Sequence, residues 1–158
     1  MSEERPSYAI VPDDLTGDAV TRLLAFHLAE MHRWSPPSKV HAMPVERLRK
    51  PDIRFYSAWA NGELAAVGAL KALDDGRGEI KSMRAAPAWM GRGAGEAMLL
   101  HLMAEARGRG YRWLGLETGR PAAFAPAANL YRKHGFTECE AFGDYVTDEF
   151  SMCMSRDI

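Results

Sequence analysis

Apolar and polar positions along this chain follow two rhythms, one of period two and one near 3.6. Val20, Leu23, Leu24, Phe26, Leu28 and Met31 recur mostly at helical spacing, so residues 18–33 predict an amphipathic helix ended by Ser35-Pro36-Pro37. Tyr8 to Val11, closed by Pro12, predicts a short edge strand before it. Residues 45–50 predict a short helix after Pro44. Ile53 to Ala60 and Glu63 to Leu73 read as two strands joined at Asn61-Gly62, a pair that favours a type I′ turn. The second of these is apolar on both faces, so it belongs in the middle of a sheet with both sides covered. Asp74 to Gly78 makes a turn, and Glu79 to Ala85 a third antiparallel strand stopped by Pro87.

Helical spacing returns in Gly95, Met98, Leu99, Leu102 and Ala106, terminated by Gly108 and Gly110. Tyr111 to Thr118 comes next as a strand that a helix separates from the one before it, so the two should lie parallel with a right-handed crossover. A short helix begun near Pro126 runs to His134, with Gly135 as its cap. Phe136 to Phe142 and Phe150 to Met154 then read as a final antiparallel pair. The expected architecture is a mixed α/β sheet, mostly antiparallel with one parallel pair.

Composition narrows the class without choosing a function. Hydrophobic residues at 47% and charged ones at 26% of 158 residues fit one folded domain spanning 1–158. A formal net charge of −1 supplies no electrostatic footprint for nucleic acid or an anionic membrane, so neither is expected as a partner. Cys139 and Cys153 are too few for a disulfide scaffold and read as reduced thiols packed in apolar runs. No basic and apolar leader opens the chain and no apolar run is long enough to span a bilayer, so a cytoplasmic location is expected. His27 and His32, five residues apart, fall on different helix faces, and no metal is expected.

The stretch with most chemical content is Met90-Gly91-Arg92-Gly93-Ala94-Gly95-Glu96, a glycine-rich turn that opens a helix. Glycines there allow positive φ and close backbone approach, and the helix start adds unpaired N–H groups and a positive dipole end. The combination suits a phosphate or pyrophosphate. A dinucleotide fold is disfavoured, because Glu96 stands where the third glycine of GxGxxG belongs and three antiparallel strands precede the motif.

Three features occur together in order. These are the strand Glu79 to Ala85, the turn Gly91-Arg92-Gly93-Ala94-Gly95, and Leu130-Tyr131-Arg132-Lys133-His134-Gly135-Phe136 about 35 residues later. Over residues 52–158 this pattern resembles the GNAT superfamily of acyl-CoA-dependent N-acetyltransferases. Ser35-Pro36-Pro37, His41-Ala42, Gly78 to Arg84 and Leu116-Glu117-Thr118-Gly119 are further similar to a bacterial YsnE-like branch. The resemblance implies a splayed sheet with helices on both faces, and acetyl-CoA as cosubstrate. It implies that the backbone of Met90, Gly91, Arg92, Gly93, Ala94, Gly95 and Glu96 holds the coenzyme pyrophosphate, and that Met83, Arg84 and Ala85 pair with the pantetheine arm. Tyr131 would lie by the thioester sulfur as general acid, and Glu79 matches a general-base position. Two residues depart from the pattern: Met90 replaces Gln or Arg, and Phe124 stands where an Asn is common.

The chemistry asks for the same groups. An ammonium must lose a proton before it attacks a thioester, and a thiolate leaving group is helped by a donor such as Tyr. Glu79, Glu117 or a chain of waters can serve the first task, and Tyr131 the second. His41 and Tyr145 are candidates for acceptor contacts, with Arg33, Trp34 and Arg54 as lesser ones. The acceptor is an amine of a small molecule or a protein, and a homodimer is compatible with the pattern. The readings of a different kind are a non-catalytic acyl-CoA-binding regulatory module of the same fold and a nucleotide-binding enzyme.

Overall fold

The computed structural model describes residues 7–34, 45–143 and 145–158. The chain runs β1 (Ala9–Pro12), α1 (Asp18–Trp34), α2 (Val45–Leu48), β2 (Ile53–Ala60), β3 (Glu63–Ala72), β4 (Arg77–Ala85), α3 (Ala94–Gly108), β5 (Trp113–Gly119), α4 (Ala125–Lys133), β6 (Thr137–Cys139) and β7 (Ser151–Asp157). Its strands form one sheet in the order β1-β2-β3-β4-β5-β7-β6. Neighbours are antiparallel except β4 and β5, which are parallel as the intervening α3 requires. No helix among the described residues is long and apolar enough to cross a membrane.

Asn61 (φ 51°) and Gly62 (φ 78°) both take the left-handed conformation of the expected β2–β3 turn, closing the register at Ala60 opposite Glu63. β3 is buried because it serves two cores. Ala66 and Leu70 face α3 and α4, whereas Val67 and Ala69 face α1 and α2. Helices therefore cover both faces of the sheet.

Two irregularities in β4 give the sheet its shape beyond Glu79. Val67 pairs with Arg84 but Ala69 with Lys81, so Ser82 and Met83 together oppose Gly68, and Ser82 takes φ 55°. This is a β-bulge, and one extra residue exchanges the faces of every side chain beyond it. Glu79 and Lys81 point to the α1 face, and the bulge brings Arg84 to that face as well, its guanidinium 4.9 Å from the centre of the Phe26 ring on α1. The second irregularity is the pairing with β5, which covers Arg77, Gly78 and Glu79 against Trp113, Leu114 and Gly115 and then stops. β5 continues along β7 as far as Gly119 opposite Ser151. The sheet thus splits between β4 and β5, as the resemblance implied.

Strand ends elsewhere shift by one or two residues, and the last two strands depart from expectation in the ways that matter. β6 ends at Cys139 instead of Phe142, because Phe142 leaves the sheet to pack edge-on against Trp113 and Tyr145, at 5.1 and 5.3 Å between ring centres. Gly115 makes room for both rings, since a Cβ there would stand 2.3 Å from Trp113 and 2.9 Å from Phe142. β7 begins one residue later than expected and runs on to Asp157. Cys139 and Cys153 are free thiols that face each other across β6 and β7, Cys153 buried and Cys139 half-buried.

Candidate active site

The open end of the split is a cleft of about 500 Å³ running from the glycine turn to the β6–β7 loop. At one end lies the start of α3. Gly91 and Gly93 have φ 73° and 88°, and no atom stands within 4 Å of a Cβ built on either, so the space before the turn is clear. No side chain caps the helix, leaving its first N–H groups directed at the cleft. Lys133, at the end of α4, lines the same end. Its Nζ lies 2.7 Å from Glu96 Oε2, and His134 Nε2 lies 2.9 Å from the same oxygen. The Glu96 carboxylate is thereby drawn against α4, and the Lys133 ammonium stands beside a helix dipole of the same sign. This end suits an anion.

Of the other turn residues, Met90, Gly91, Gly93, Ala94, Gly95 and Glu96 line the cleft. Arg92 does not; its guanidinium stacks 4.0 Å over Trp89 and its carbonyl accepts from the Tyr8 hydroxyl at 2.6 Å. Met83, Arg84 and Ala85 form the wall along β4. Phe124 also lines the cleft, its ring filling the space beside Gly119, where a Cβ would stand 2.3 Å away.

The middle of the cleft brings titratable groups in from opposite faces. Tyr131 belongs to the core shared with α3 and α4 and is 6% exposed, its ring set edge-on to Phe136. Leu130, its neighbour on α4, is half-buried. Tyr131 is the more buried of the two, and both line the cleft. Burial, with the nearby charge of Glu117, pushes the Tyr131 phenol well above its ordinary range, so it keeps its proton at any neutral pH.

On the α1 face stand Glu79 and Glu117. Glu117 lines the cleft, whereas Glu79, 4% exposed, lies behind Lys81 and Tyr145. The Tyr145 hydroxyl donates to Glu79 Oε2, and Lys81 Nζ donates to Glu79 Oε2 at 3.2 Å and to the Tyr145 oxygen at 2.6 Å. Burial first, then the adjacent Glu79 charge, drive the Tyr145 phenol far up. Tyr145 thus presents a ring to the cleft while its hydroxyl is engaged with Glu79.

His41 lies outside the described residues. Arg54 is exposed on β2 and is not among the residues lining the cleft. Sequence reasoning missed Lys133, which carried no motif of its own beyond its place before Gly135, and it missed His27 and Met31. The two α1 residues line the cleft opposite β4 and were legible only as helix positions.

The acetyltransferase (GNAT) family profile matches residues 22–136. Two relatives are similar over nearly the whole chain. The uncharacterized N-acetyltransferase YsnE of Bacillus subtilis is 48% identical over 144 residues, 91% of this chain and 95% of the relative. The uncharacterized N-acetyltransferase YedL of Escherichia coli is 45% identical over 148 residues, 94% and 93% of the two chains. Among solved structures, a candidate acyl-CoA N-acyltransferase from Klebsiella pneumoniae superposes with a TM-score of 0.76 at 27% identity, covering 95% of this chain and 97% of that one.

Proposed function

The chain belongs to the acetyltransferase (GNAT) family and is an acyltransferase; from that premise we propose that it transfers the acetyl group of acetyl-CoA to an amine by direct attack within a ternary complex. The observation that carries this reading is the split beyond Glu79 and Gly115, lined by Tyr131 from one face of the sheet and Glu117 from the other. A thioester threaded through the split meets a proton donor on one side and a carboxylate on the other. We take residues 1–158 as one domain acting in the cytoplasm.

The coenzyme's pyrophosphate would lie on the N–H groups of residues 91–96 with Lys133 beside it, and its amide-bearing arm along Met83 to Ala85. The acceptor then enters on the α1 face. Its ammonium gives a proton to Glu117 directly or through water, and the freed nitrogen attacks the thioester carbonyl. The tetrahedral intermediate collapses, the C–S bond breaks, the departing sulfur takes the Tyr131 proton, and the nitrogen gives its second proton to solvent, which in turn restores that of Tyr131. Glu79 acts behind this, with Lys81 and Tyr145, as a positioning group for the wall of the cleft.

Purified protein incubated with acetyl-CoA and a panel of amines should release thiol, with intersecting initial-velocity lines. Parallel lines would mean an acetyl-enzyme instead. Tight coenzyme A binding without thiol release from any small or protein amine would favour a non-catalytic acyl-CoA-binding module.

Gly93→Val tests the anion end. At φ 88° a β-branched side chain is strained, and its methyl groups would occupy the clear space before the turn. Coenzyme A affinity should fall by at least about 1–3 kcal/mol, the loss of charge-assisted hydrogen bonds. Calorimetry on protein shown by a melt to be folded measures it, and an unchanged Kd would remove the turn from the binding site.

A further inference from the structure

Resting on that reading of the cleft, we propose that the amine acceptor carries a carboxylate, and that Arg84 is the residue that selects it. The bulge at Ser82 puts the Arg84 side chain on the α1 face, the face of Glu117 and of the acceptor's approach. Arg84 is half-buried and lines the cleft. Its guanidinium carbon sits over the Phe26 ring, 4.9 Å from the centroid, yet its buried Nε has no hydrogen-bond acceptor among the described residues. A desolvated guanidinium N–H left without an acceptor is costly, and buried polar groups are nearly always satisfied. The missing partner is an acceptor of negative charge and planar, two-oxygen geometry, which is what a guanidinium fork binds best.

The surroundings agree in charge. His27, the next residue to Phe26 on α1, also lines the cleft, and its Nδ1 is buried without a partner among the described residues. Burial, with the Arg84 charge beside it, holds this imidazole at about 4, so it stays neutral and leaves the guanidinium as the local cation. Glu30, one turn further along α1, lies within electrostatic reach of Arg84 but also faces Arg33 at 4.0 Å. Met31 supplies an apolar wall next to these groups. Lys81, the next cation back along β4, is occupied by Glu79 and Tyr145. Arg84 lines the same cleft as Glu117, so an anion held there leaves an amine on the same small molecule free to turn toward that carboxylate. The class of acceptor is therefore an amino acid or similar small amine bearing a carboxylate.

The test pairs aliphatic, aromatic and ω-amino acids with their own carboxamides, which keep size and amine but lose the charge. Thiol release gives kcat/KM for each, and calorimetry on the coenzyme A complex gives Kd for the N-acetylated product of each pair. Wild type should favour the acid over the amide at least tenfold by both measures. In Arg84→Gln saturated with coenzyme A that ratio should fall to near one through KM for the acceptor; Arg84→Lys should keep part of the preference. The proposal is overturned if acid and amide are used and bound alike, if neither series reacts or binds, or if Arg84→Gln weakens coenzyme A and spares the acid preference. Failure of the transferase reading shows separately, as a wild-type protein that neither binds coenzyme A nor releases thiol with any amine.

Discussion

Tyr131→Phe is expected to lower kcat and kcat/KM together by about 10²–10⁴-fold, the usual contribution of a placed general acid, and to leave KM for acetyl-CoA near wild type. On the proposed mechanism the hydroxyl acts only as charge develops on sulfur, so the ground-state complex should not register its loss. The ring, packed against Phe136 in the shared core, stays in place, and the melting temperature should change little. Because burial and Glu117 hold the phenol protonated, the wild-type rate should show no alkaline decline from this group below about pH 10, where an unperturbed tyrosine ionises. A purely structural Tyr131 would give the opposite result: full kcat in the Phe variant with a lowered melt.

The second large effect separates the two glutamates. Glu117→Gln removes the carboxylate that lines the cleft, and kcat should fall by about 10²–10⁴-fold with little change in stability or in coenzyme A affinity. Glu79→Gln removes the charge that Lys81 and Tyr145 share. The pair is nearly inaccessible, its side chains 5% and 10% exposed, so the variant leaves an ammonium buried without its counter-ion. Breaking a buried pair in this way costs about 3–5 kcal/mol, read as a lower midpoint in denaturant. If Glu79→Gln instead melts normally and abolishes turnover while Glu117→Gln is fully active, the roles are exchanged.

These distinctions were only partly legible in the sequence. Local signals carried the strands and the turns: Asn61-Gly62 specifies a hairpin by itself, and the glycines at 91 and 93 announce a turn of positive φ open to close approach. The double-sided burial of β3 was legible because a run without a polar face has one stable place. What escaped was settled by contacts distant along the chain. Phe136 to Phe142 reads as a strand until Gly115, some thirty residues earlier, opens a space that draws Phe142 off the sheet. Period-two reasoning assigns Arg84 to the α3 face, and only the bulge opposite Gly68 overrules it. Glu79 and Glu117 were equivalent as strand carboxylates. Their difference comes from Tyr145, which reaches back across 66 positions to occupy one of them.

The seam between β4 and β5 has a consequence for the lifetime of the molecule. Two leaves of sheet meet there over three residue pairs, and past them each strand offers an interior edge whose backbone groups have no ladder partner across the gap. Exposed edges of this kind invite pairing with another chain. On the proposed function, a coenzyme arm lying in the gap would supply amides of its own and close the edge without closing the sheet. Occupancy and folding are then coupled by mass action: coenzyme at a hundred times its Kd deepens the folded state by about 2.7 kcal/mol. The abundance of the enzyme should therefore track the cellular coenzyme pool, with starved molecules the first to be cleared by proteases.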